Sequence, residues 1–140
     1  MILDTSIFIE AERGRFDLEG LLESLGEEPV AIASVTASEL LHGVERASGD
    51  DIRFRRHQFV ERIVADFPVL PFDLAAARVH ARLWASLAAR GLLIGPHDLL
   101  VAATAIAIGS PVATLNQKEF KRIPDVALVP TTTFLRSRRR

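Results

Sequence analysis

The sequence predicts an α/β fold, an open sandwich in which helices cover both faces of a central parallel sheet. Three observations carry this expectation. Short apolar runs alternate along the chain with segments whose apolar residues recur at helical spacing. The runs are separated by helix-length stretches instead of tight hairpin turns, as parallel neighbours require. The 140 residues are 49% hydrophobic and contain no cysteine, enough for one core without a covalent staple.

Met1-Ile2-Leu3-Asp4 reads as a strand that turns into a helix near Thr5. A second apolar run, Val30 to Val35, follows Pro29 and leads to Thr36, from which a helix runs to Ala47 and stops at Gly49. Residues 51–67 are amphipathic, with Ile52, Phe59, Ile63 and Phe67 on one side and Arg53, Arg55 and Arg56 largely on the other. Val69-Leu70 is a short strand between Pro68 and Pro71, and Asp73 caps a long helix ending at Gly91. Gly95-Pro96 opens an apolar helix over residues 98–108, closed by Gly109, and residues 112–115 and 127–129 complete the strands. No linker or repeat divides the chain, so residues 1–140 read as one domain with a basic tail over 135–140.

Composition excludes several classes of function. Without cysteine there is no thiolate zinc site and no thiol nucleophile. The longest apolar stretch, residues 99–108, is too short to span a bilayer, and no signal peptide is visible, so a cytoplasmic protein with no membrane partner is expected. The net charge of −1 is unlike that of proteins that coat duplex nucleic acid. Of 17 basic residues only Lys118 and Lys121 are lysine. Arginine suits bidentate phosphate contacts, although genomic base composition produces the same bias.

Three acids stand at equivalent places, just after a strand and at the start of a helix: Asp4, Glu39 and Asp98. Each has a structural explanation of its own. Asp4 can be an N-cap, Thr36-x-x-Glu39 matches a capping box, and Asp98 behind Pro96 complements a helix dipole. Taken together they admit a second reading. If their strands are neighbours, the acids converge on the carboxyl rim of the sheet, where α/β folds bind ligands. Clustered carboxylates repel unless a cation lies among them, and hard oxygen donors open to water suit Mg²⁺ or Mn²⁺. His97 reads as a helix-start surface residue, His42, His57 and His80 as helix-face residues, and Trp84 as core or interface.

Four blocks then carry a resemblance. Met1-Ile2-Leu3-Asp4-Thr5-Ser6, Ser34-x-Thr36-x-x-Glu39-Leu40-x-x-Gly43, the run from Asp98 to Ala105, and Thr114-Leu115-Asn116-x-x-Glu119-Phe120 resemble, in order, the PIN-domain nucleases. The likeness is greatest to the VapC toxins of prokaryotic toxin–antitoxin pairs and spans nearly the whole chain. It implies a PIN-like sandwich, Mg²⁺- or Mn²⁺-dependent cleavage of RNA, a homodimer, and inhibition by a VapB-like antitoxin. By the resemblance Asp4, Glu39 and Asp98 are the catalytic acids, with Thr5, Ser6 and Thr114 in support. Asn116 stands where many relatives carry Asp, and Glu119 one turn later can supply the missing carboxylate. One cation is then expected at Asp4, Asp98 and Glu39, and a second near Asn116 and Glu119. A PIN nuclease of RNA processing and an inactive PIN binding module are the alternatives. A haloacid dehalogenase-like phosphatase is disfavoured because position 6 is Ser, and a receiver domain because Leu3-Asp4 offers no acid pair.

Overall fold

The structure, a computed structural model, describes residues 1–137. In chain order the elements are β1 (Ile2–Leu3), α1 (Thr5–Glu12), α2 (Leu18–Leu25), β2 (Ile32–Ala33), α3 (Ser34–Glu45), α4 (Asp50–Asp66), β3 (Val69–Leu70), α5 (Leu74–Ala89), α6 (Pro96–Ala107), β4 (Val112–Ala113) and α7 (Gln117–Phe120). A short 3-10 turn, Thr132–Phe134, follows. β1 pairs in parallel with β4, and β2 in parallel with β3. A parallel bridge between Ile2 and Ala31 joins the two pairs, and another between Val112 and Leu128 adds the last strand segment. The spatial order is therefore β3-β2-β1-β4, with residue 128 outermost. The expected parallel α/β sandwich is what forms.

Strand alternation divides the interior in two. Ile2, Ala33 and Val112 face a core built with Leu83 and Leu87 of α5, the buried residues of α6, and Phe120. Leu3, Ile32 and Ala113 face the opposite core, where Phe8, Leu21, Leu40 and Val60 bring α1, α2, α3 and α4 together. α6 is buried on nearly every side (Leu99, Val101, Ala102, Ala103, Thr104 and Ala105), which accounts for its unbroken apolar sequence.

Several helix boundaries follow the expected chemistry. The Asp73 carboxylate accepts from the Ala76 amide at 2.9 Å, capping α5. Gly91 and Gly109, both at φ 65°, end α5 and α6. In each case the residue after the glycine donates back to the carbonyl five positions earlier, Leu92 to Leu87 and Ser110 to Ala105.

Four expectations need correction. The second strand is only Ile32–Ala33, because α3 already begins at Ser34. Residues 127–129 form a single bridge to Val112 instead of a strand. α2 has no counterpart among the expected elements: its signal is masked by Gly20, yet a Cβ there would collide with the Asp17 carboxylate that caps the helix by accepting from the Gly20 amide at 3.1 Å. The basic tail is partly anchored, since Leu135 bridges Phe16 and the Arg136 amide donates to Arg15 O at 2.8 Å. Arg138, Arg139 and Arg140 lie outside the described residues.

Candidate active site

Because β2, β1 and β4 are neighbours, the residues that leave their carboxyl ends meet on one rim. Asp4 follows β1, Glu39 lies on the helix that leaves β2, and Thr114 and Asn116 follow β4. Asp98 joins them from the first turn of α6. Hydrogen bonds link these positions across the sheet. Thr114 Oγ1 donates to Asp4 Oδ2 at 2.7 Å, and Ser6 Oγ donates to the same oxygen at 2.9 Å. Thr5 Oγ1 donates to Glu39 Oε1 at 2.8 Å. Asn116 Nδ2 donates to Asp98 Oδ2 at 2.7 Å and to Glu119 Oε2 at 3.1 Å. All three hydroxyls that the sequence nominated as supporting groups thus touch acids directly, Thr114 and Ser6 at Asp4 and Thr5 at Glu39 rather than Asp4.

The capping explanations are not what the geometry shows. Asp4 occupies the N-cap position of α1, but its side chain makes no capping bond. Thr36 lies inside α3, fully buried, with no partner for its hydroxyl among the described residues. Its capping box with Glu39 therefore does not form, and Glu39 sits in the second turn of α3, not the first. Asp98 keeps its place near the helix amino end, but it is also bound to Asn116.

Burial sets the electrostatics. Asp4 is only 2% exposed, and that desolvation raises its pKa against the lowering effect of the Thr114 and Ser6 hydroxyls, with Glu39 repulsion adding to the rise. Asp98 is pushed up to about 7, chiefly by burial and then by the charge of Asp4. Glu119 goes the other way, lowered first by the Gly95 amide that donates to it. No lysine or arginine forms an ion pair with Asp4, Asp98 or Glu119 among the described residues; Glu39 has only His97, its Nδ1 at 3.5 Å. The rim thus gathers carboxylates that no described lysine or arginine pairs with.

Stability must therefore depend on pH in a definite direction. The folded chain holds protons on Asp4 and Asp98 more tightly than the unfolded chain does. Stability from this source is present in acid and falls as pH rises from about 4 to 7, the interval between the unfolded and folded values. In EDTA, the melting temperature of wild type should drop between pH 5 and pH 8 by more than that of Asp98→Asn. Equal drops in a calorimetric comparison would remove Asp98 as the source.

The acids do not yet form a closed cage. Among the described residues, no three acid or histidine side chains are gathered tightly enough to grip an ion as they stand. Asn116 presents its donor nitrogen to two carboxylates, and Glu119 is engaged by Gly95 and Asn116. Sequence reasoning missed two contacts. His97, read as a plain surface residue, faces Glu39. Thr131, 1% exposed, donates to Thr114 O at 3.1 Å and helps fix the turn after β4. Nothing in the local sequence around Thr131 signals that long-range role. Trp84 is 57% exposed and tilts against His80, which packs edge-on to Phe72, so it is not a core residue.

Comparison with known proteins places this rim in context. Residues 1–126 match the family model described as PIN domain. The chain is 36% identical over 129 residues to a Ribonuclease VapC of Rickettsia bellii, covering 92% of this chain and 94% of that protein. It is 43% identical over 113 residues to Ribonuclease VapC5 of Mycobacterium tuberculosis, covering 81% and 80%. Its fold is similar to the VapBC2 structure of Rickettsia felis, solved bound to a DNA fragment from the promoter. That match has a TM-score of 0.83 at 29% identity and covers 91% of this chain and 96% of the solved one.

Proposed function

We propose, from the premise that this chain belongs to the PIN-domain family, that it is an endoribonuclease, the VapC-type toxin of a toxin–antitoxin pair, working through Asp4, Glu39 and Asp98. The observation that carries the reading is the hydrogen-bonded rim joining the Asp4, Glu39 and Asp98 positions across three neighbouring strand ends. The chain is also similar to VapC ribonucleases over most of its length.

The donor set fits a hard divalent cation. It offers carboxylate and hydroxyl oxygens and no thiolate, with no described lysine or arginine ion-paired to Asp4, Asp98 or Glu119. The loose spacing agrees with an ion such as Mg²⁺ that keeps several waters and takes few protein ligands. Asp4 and Asp98 would hold it, with Glu39 direct or through water. When bound, it supplies a Lewis acid that activates water and offsets charge on the phosphodiester.

The protein's own groups supply the rest. Thr114 and Ser6 both donate to one Asp4 oxygen and fix the orientation of the carboxylate. Thr5 fixes Glu39 Oε1, while Oε2 faces His97 Nδ1 at 3.5 Å. Asn116 orients Asp98. Thr114→Val should lower cleavage by about 10–100-fold with the fold retained, the usual cost of removing a group that orients a ligand. Wild-type kcat/KM in that variant would show Asp4 to be held by other means.

The partner is a VapB-like antitoxin. A cavity of about 450 Å³ between α1, α2 and α4, with Phe16, Phe59 and Phe67 in its walls, supports docking of an apolar segment. The exposed Phe72, Leu74 and Trp84 support a homodimer. No described helix is long and apolar enough to cross a membrane, which agrees with a cytoplasmic site of action. The test is cleavage by purified protein: RNA should be cut with Mg²⁺ or Mn²⁺ and left intact in EDTA, and cutting that persists in EDTA would refute the metal-dependent reading.

A further inference from the structure

A second cavity, of about 120 Å³, opens beside Glu39 between α1, α3 and α4. Glu39 and Gly43 line it from α3, and Arg46 from the cap position just past the end of that helix, with helical backbone angles. Their spacing of four and then three residues puts them on one face, with Arg46 about 10 Å along the helix axis from Glu39. α1 adds Ile9 and Glu12, its C-cap residue Arg13 follows, and α4 adds Arg56 and Val60.

The charges here differ in kind from those of the acid rim. Arg56 is committed: its Nε donates to Glu12 at 3.1 Å, and its Nη1 donates to Gly43 O at 3.0 Å. Arg13 makes a 3.4 Å contact with Glu10. Arg46 makes no ion pair or side-chain hydrogen bond among the described residues, although it lines the cavity. Gly43 is the other unusual member. A glycine within a helix costs about 1 kcal/mol relative to alanine. It is not needed for an unusual backbone angle, and a Cβ there would meet only Arg56 Cδ at 3.9 Å. Its absent side chain keeps open the path from Glu39 to Arg46.

We propose that this cavity is a seat for a backbone phosphate of the RNA strand flanking the scissile one, with Arg46 as its principal ligand and Arg13 beside it. The inference rests on the ribonuclease reading above and adds the direction in which the strand leaves the acids. A guanidinium offers paired donors that match a phosphate's oxygens, and the volume suits a compact anion. The larger cavity, with Phe16, Phe59 and Phe67 among its apolar and charged walls, has room for a protein segment, whereas the smaller one holds Arg46, unpaired among the described residues, next to Glu39. The acids repel RNA, so the strand needs a cationic anchor outside the rim, and removing the Asp98 charge lowers that repulsion without touching this cavity.

The test is fluorescence anisotropy of a labelled mixed-sequence single-stranded RNA dodecamer. It would be titrated with Asp98→Asn protein in Mg²⁺, with and without Arg46→Gln, across about 50–200 mM salt. Arg46→Gln should weaken binding several-fold and flatten the log–log salt dependence by about 0.7, the value of one single-strand phosphate contact. Gly43→Leu should weaken binding as well, by filling the path, with circular dichroism confirming the fold of each variant. Binding and salt slope left unchanged by Arg46→Gln would overturn the seat. So would an equal loss in Arg82→Gln, remote on α5, or a loss seen only for an immobilised VapB-like peptide. RNA neither bound by the Asp98→Asn protein nor cut by wild type would instead overturn the ribonuclease reading.

Discussion

Asp98→Asn should reduce RNA cleavage by on the order of 10³-fold or more, because losing an anionic ligand forfeits several kcal/mol of transition-state stabilisation. Asp4→Asn should do the same. The substitutions are close to isosteric, and Asn116 retains an acceptor at residue 98. Their effect on stability should be opposite in sense to their effect on activity. Each removes a charge, buried at Asp4 and half-buried at Asp98, whose ionised form the fold disfavours, so the metal-free variants should melt at or above the wild-type temperature at pH 8. Lost cleavage together with retained or raised stability separates a chemical role from a structural one. Lost cleavage with a lowered melting temperature would mean that these acids hold the fold together.

The largest effect on stability is expected at Phe8. Its ring is fully buried one turn beyond Thr5 and stands edge-on to Phe67, with ring centroids 5.7 Å apart. It fastens α1 to the face of the sheet that also receives α3 and α4. Phe8→Ala should cost about 3–5 kcal/mol, a large fraction of the ~5–15 kcal/mol that keeps a domain of this size folded. Urea unfolding should show a lower midpoint at an unchanged slope. Below its transition the variant should still cleave RNA, though with a rim loosened by the movement of Thr5 and Ser6. A loss under 1 kcal/mol would mean that α1 does not depend on this contact.

The fold was legible wherever chemistry is local. Asp73, Gly91 and Gly109 mark helix ends because capping is decided within a few residues. The parallel sheet followed from the lengths between apolar runs. α2 was hidden because its glycine serves a close approach to Asp17, which only the folded chain reveals. The start of α3 was displaced because Ser34 and Val35 continue an apolar run while the chain already turns at the rim. At the site, Asp4 and Glu39 were found from their places after β1 and β2, whereas Asp98 follows α5 and a loop instead of the expected strand, and only its place at the start of a helix was read correctly. The bonds Thr114–Asp4, Asn116–Asp98 and His97–Glu39 depend on strand neighbours far apart in sequence, so no periodicity announces them. The Thr36-x-x-Glu39 pattern misled in the other direction, since it reads as a capping box and the helix starts too early for one.

Anomalous scattering from a crystal soaked in Mn²⁺ tests the central claim most directly. The account predicts a peak between the carboxylates of Asp4 and Asp98, within reach of Glu39 directly or through one water. That peak should be absent from an Asp98→Asn crystal. A wild-type crystal with no peak on this rim, or with its manganese bound elsewhere while RNA is still cut, would contradict it.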